Sequence, residues 1–72
     1  MEEYSVLLLY PDPVETETYF THTEAETALE AVQKVMVMAA EANEGEYEPN
    51  DFLPLACFKG HIEMELGIGD YT

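Results

Sequence analysis

Sixteen acidic residues against two lysines and no arginine give this chain of 72 residues a formal charge of −14. That charge repels phosphate backbones and anionic membranes, so direct binding to nucleic acid or lipid is excluded, and the length leaves room for one small domain only. Disorder is excluded too, because 47% of the residues are hydrophobic and fall in periodic blocks.

Tyr4 to Tyr10 is β-branched, leucine-rich and aromatic, which predicts a central strand. Tyr4, Val6, Leu8 and Tyr10 share one face, and Ser5, Leu7 and Leu9 share the other. The serine marks the second face as the less buried. Pro11-Asp12-Pro13 closes the strand. Glu15 to His22, with three threonines, predicts an edge strand. Phe20 sits with Thr16, Thr18 and His22, and Tyr19 with Glu15 and Glu17.

Thr23 to Glu44 predicts the one long helix. Thr23 and Glu26 fit the S/T-x-x-E capping box, and Asn43 and Gly45 suit its C-terminal end. Ala25, Ala28, Leu29, Val32, Val35, Met36, Ala39 and Ala40 draw an apolar stripe at helical spacing. The opposite face carries Glu26, Glu30, Glu41 and Glu44. Gly45 to Asp51 reads as an exposed loop. Phe52 to Lys59 predicts a third strand, with a bulge or local edge at Pro54. A tight turn at Lys59-Gly60-His61 then leads to a fourth strand, Ile62 to Leu66, and residues 67–72 read as a frayed tail.

The fold expected is α+β, in the order ββαββ. Residues 1–72 form a single domain, with a four-stranded antiparallel sheet in the order 2-1-3-4 and the helix on one face. The sheet face away from the helix then shows Leu7, Leu9, Tyr19, Ala56 and Phe58, flanked by Glu15, Glu17, Glu63 and Glu65. An apolar centre inside a charged rim is how an interface looks.

No catalytic constellation emerges. The carboxylates lie on exposed faces, without the shared pocket that acid–base work needs. His22, His61 and Cys57 lack metal-ligand spacing, and the chain has no EF-hand pattern, phosphate loop or nucleophile elbow. Cys57, in an apolar run, reads as a small buried hydrophobe. Neither an enzymatic activity nor a metal or cofactor is expected. The acidic start Met1-Glu2-Glu3 lacks the basic region of a signal peptide, and no apolar run approaches bilayer length, so a cytoplasmic location is expected.

The stretches Tyr4 to Asp12, Glu17 to Ala25 and Asp51 to His61 are similar to small acidic proteins of phages and mobile elements. By size, charge and mixed α/β order the chain also resembles anti-CRISPR proteins, several of which mimic DNA. That resemblance implies an inhibitor in an infected or prophage-carrying bacterial host, and it carries over no functional residue. The leading expectation is an acidic DNA mimic that occupies the basic nucleic-acid-binding surface of a CRISPR effector and blocks target binding. Glu26, Glu30, Glu41, Glu44, Glu46, Glu48 and Asp51 are the first candidates for contact. Glu15, Glu17, Glu63, Glu65, Leu7, Leu9 and Phe58 are the second. The alternative is a non-enzymatic accessory or assembly protein acting through its sheet face, as a monomer or a homodimer.

Overall fold

The computed structural model describes residues 1–11 and 17–63. It contains β1 (Glu2–Leu9), β2 (Thr18–Ala25), α1 (Ala28–Ala42), a 3₁₀ turn (Pro49–Asp51) and β3 (Leu53–Lys59). The sheet is antiparallel in the order β2-β1-β3, and α1 packs across one face. The α+β class, one α-helix among the described residues and the central position of β1 are as the sequence predicts. The bulge falls at Pro54 as well. Pro54 lies opposite Leu8 while Ala56 lies opposite Leu7, which leaves Leu55 as the extra residue.

Tyr4, Val6 and Leu8 bury one face of β1 against Ala31, Val35, Ala39 and Ala40 of α1, with Ala25 and Phe52 closing the core. Full burial of a side chain such as Val6 or Leu8 contributes about 2 kcal/mol. The helix presents alanine at three of its four core positions, so its backbone can approach the sheet closely.

The helix is shorter than its sequence signature. Thr23 to Ala25 belong to β2, where Thr23 pairs with Tyr4 and Ala25 with Glu2. Two capping signatures overlap here, Thr23-x-x-Glu26 and Thr27-x-x-Glu30, and the second is used. Thr27 Oγ1 accepts from the Glu30 amide at 3.1 Å, and Glu30 Oε1 accepts from the Glu26 amide at 3.2 Å. Pairing Thr23 to Ala25 with β1 completes the ladder and buries Ala25, a gain that a helix begun at Thr23 would forfeit. The apolar stripe shifts accordingly. Ala31, rather than Ala28 or Leu29, faces the core, and Leu29 is 67% exposed.

The β2 register corrects the outer sheet face. Tyr19 lies opposite Leu8 and packs on the core, while Phe20 lies opposite Leu7 on the face away from α1. Ser5, on that outer face, is itself fully buried. Its hydroxyl donates to the Gly60 carbonyl at 2.7 Å and accepts from the Ile62 amide at 2.9 Å. This bond explains why Ile62 and Glu63 do not continue as a strand, because the Ile62 amide is spent on a side chain of β1. The expected fourth strand is thus not formed by its described residues. Its remainder, Met64 to Leu66, and the expected tail at 67–72 lie outside the described residues, as do Glu15 and Glu65.

Candidate functional site

The two ends of α1 handle charge differently. At the N-cap end, β1 begins, β2 and β3 finish, and Glu2, Glu3, Glu24, Glu26 and Glu30 sit among both lysines and both histidines. Lys34 Nζ lies 3.5 Å from Glu30 and donates to the Glu24 carbonyl at 2.9 Å. Lys59 Nζ lies 2.8 Å from Glu2. That lysine holds the Glu2 carboxyl below its ordinary pKa of 4.5, and Glu2 in turn raises Lys59 above 10.5. His61 Nδ1 meets Glu3 at 3.2 Å, and the His61 ring stacks on His22 at 3.7 Å. His22 Nε2 meets the Ile62 carbonyl at 2.8 Å, so the two rings pin the chain leaving β3. Glu24, Glu26 and Glu30 also lie at the positive end of the helix dipole, where carboxylates stabilise.

The C-cap end has the opposite character. Glu41, Glu44, Glu46, Glu48 and Asp51 follow one another around the end of α1 and into the 3₁₀ turn, and no basic residue stands in the last helical turn. Glu17 joins them. Its carbonyl accepts from the Tyr10 amide at 3.0 Å, and its charge acts on Tyr47. Tyr47 is pushed above its ordinary pKa of 10.0 by burial, then by Glu46, Glu17 and Tyr10. None of the ion pairs among the described residues reaches this end. Glu41 and Glu44 lie in and just after the last turn of α1, at the negative end of the helix dipole, the unfavourable placement.

The backbone makes this end dearer still. α1 closes in a Schellman arrangement, with the Gly45 amide donating to the Ala40 carbonyl at 3.2 Å and the Glu44 amide to the Glu41 carbonyl at 3.0 Å. Glu44 takes the left-handed position at φ 56°, where glycine is the usual occupant. A side chain there costs about 1 kcal/mol. Glu48 and Asp51 have a local task, because they form a capping box at the start of the 3₁₀ turn: Asp51 Oδ2 accepts from the Glu48 amide at 2.9 Å, and the Glu48 side chain accepts from the Asp51 amide.

Beside these charges lies an open groove of about 370 Å³. Val37, Ala40, Tyr47 and Pro49 line it together with Glu41, Gly45 and Glu48. The Tyr47 ring is held edge-on by Tyr10 at 6.0 Å and Phe52 at 5.8 Å.

The first-choice carboxylates therefore separate. Glu26 and Glu30 lie at the N-cap end, and Glu26 precedes the helix. Glu41, Glu44, Glu46, Glu48 and Asp51 gather at the C-cap end. The helix itself carries acids only at Glu30 and Glu41, about 16 Å apart along its axis, with Leu29, Gln33 and Val37 exposed on the same side. Of the second choice, Glu17 stands at the C-cap end and Glu63 is exposed beside Ile62. Leu7, Leu9 and Phe58 lie on the outer sheet face with Phe20, which sequence reasoning left out. Sequence reasoning also missed the groove and the strained Glu44, although the Glu44-Gly45 dipeptide after Asn43 carried the signal.

Among the described residues, no group of three or more histidine, cysteine, aspartate or glutamate side chains is placed to hold a metal ion. Cys57 is half-buried, with its thiol pushed above 9.0 by burial, and so is a weak nucleophile. No helix among these residues is long and apolar enough to cross a membrane. Compared with known proteins, the chain matches no family model, no curated sequence and no solved structure.

Proposed function

We propose that this chain is an inhibitor of the phage type. It acts as an acidic mimic of DNA, docking on the basic nucleic-acid-binding surface of an effector complex and keeping target DNA out. The observation that carries the reading is the C-cap end. Six carboxylates stand there without a basic partner among the described residues, Glu41 and Glu44 meet the negative end of the helix dipole, and Glu44 occupies a left-handed backbone position. Glu44, which opposes the local backbone in all three ways, is explained by what it meets in a partner. A rigid helix end also presents its charges preorganised, which lowers the entropy lost on docking. A CRISPR effector is the target that the resemblance in size, charge and mixed α/β order implies.

The test is capture from cells that carry CRISPR systems, with the retained protein identified and then challenged with duplex DNA. The expected result is a nucleic-acid-binding protein that DNA displaces and salt releases. If only proteins indifferent to DNA are retained at low salt, the mimicry reading fails.

A second reading rests on a different observation. The far edge of β3 has no pairing strand among the described residues, and Leu53, Leu55 and Phe58 are exposed along that strand. An open apolar edge is a template for pairing with another chain. An accessory protein working as a homodimer through this edge fits that observation. A strict monomer in light scattering removes it.

A further inference from the structure

We infer that the groove at the C-cap end is a seat for one arginine side chain of a basic protein partner. This deepens the proposed function and rests on its premise that the partner is basic. The groove offers what an arginine needs along its length. Val37, Ala40 and Pro49 supply apolar surface for the methylene stem, and Glu41 and Glu48 supply carboxylates for the charged head. Tyr47, fixed by its aromatic neighbours, supplies a wall on which a planar guanidinium packs. At about 370 Å³ the space lies near the small end of ligand pockets, about 300–1,000 Å³, which suits one long side chain rather than a cofactor.

Charge complementarity selects the occupant. The carboxylates at this end have no internal cation among the described residues, and the helix dipole adds further negative potential. Phosphate or an acidic peptide is repelled. Arginine is favoured over lysine because a guanidinium is more weakly hydrated and enters a half-apolar groove more readily. Val37 is 45% exposed although it is a β-branched aliphatic on a helix, and a docked side chain would cover it.

The experiment uses the whole chain and an oligoarginine peptide at physiological salt, with binding measured by calorimetry and mapped by amide chemical shifts. The shifts are expected at Val37, Gly45 and Tyr47. Replacing Glu41→Gln and Glu48→Gln together is expected to weaken binding about fivefold. Replacing Glu24→Gln and Glu26→Gln at the other end removes the same charge and is expected to cost less than about twofold. Val37→Gln, at an exposed position, is expected to weaken binding about threefold while leaving its salt dependence unchanged. An oligolysine of equal length is expected to bind more weakly than oligoarginine. Circular dichroism checks that each variant folds. If both charge pairs weaken binding equally, or if Val37→Gln has no effect, cations gather diffusely and the seat is overturned, while the basic-partner reading stands. If oligoarginine does not bind even at low salt, both fall.

Discussion

The two ends of α1 are built from the same residue, glutamate, and use it to opposite effect. At the N-cap end Glu30 receives the Glu26 amide, Glu2 and Glu30 pair with lysines, and three glutamates face the positive end of the dipole. Those carboxylates help to hold the fold. At the C-cap end Glu41 and Glu44 meet the negative end, and Glu41, Glu44, Glu46 and Glu48 are without a cation among the described residues. Net charge alone does not separate a soluble surface from a recognition surface. On the proposed reading, what separates them is whether each charge helps or opposes the local backbone.

That comparison makes a prediction about stability with opposite signs. Changing Glu41, Glu44, Glu46 and Glu48 together to glutamine is expected to raise the unfolding free energy by about 2 kcal/mol at low salt. Changing Glu24, Glu26 and Glu30 together to glutamine is expected to lower it by about 1 kcal/mol. Urea denaturation measures both, and high salt should shrink both differences. Equal signs would break the contrast.

Single substitutions at the two caps sharpen it. Thr27→Ala removes the acceptor for the Glu30 amide and is expected to cost about 1 kcal/mol. Glu44→Gly relieves the left-handed φ and is expected to gain slightly under 1 kcal/mol, because glycine's greater unfolded freedom offsets part of the relief. A destabilised Glu44→Gly protein would show that the Glu44 side chain has an internal role.

The smallest effects are in pH. Glu2 has a folded pKa below 4.5, so its contribution is present above that value and is lost as pH falls through the folded pKa. Tyr47 has a folded pKa above 10.0, so its contribution is present below 10.0 and is lost as pH rises through the folded pKa. Glu2→Gln should therefore flatten the acid limb of stability, and Tyr47→Phe the alkaline limb. Thermal melts across pH read both, and an unchanged limb would count against the corresponding contact.

Much of the fold was legible in the sequence. Ser5 marked its own face of β1 as the less buried and so assigned Tyr4, Val6 and Leu8 to the core, and Pro54 announced the bulge. The capping site was not, because two threonine–glutamate signatures overlap and only pairing with β1 chooses between them. The outer face was misread at Tyr19 and Phe20 for a related reason, since register across strands is set by the partner strand. The fourth strand was misjudged at Ile62, where alternation competes with the Ser5 hydroxyl. The candidate site was half legible. Its acids are visible in the sequence, but their division between two helix ends depends on where α1 starts and stops.

The central claim is that the C-cap carboxylates exist for a basic partner and the N-cap carboxylates for the fold. The most direct measurement compares binding of a captured nucleic-acid-binding partner to the two grouped glutamine variants, at matched salt and with folding verified. The account predicts a large loss of affinity for the variant neutralised at Glu41, Glu44, Glu46 and Glu48. It predicts near-native affinity for the variant neutralised at Glu24, Glu26 and Glu30. Retained binding by the first and lost binding by the second would contradict it.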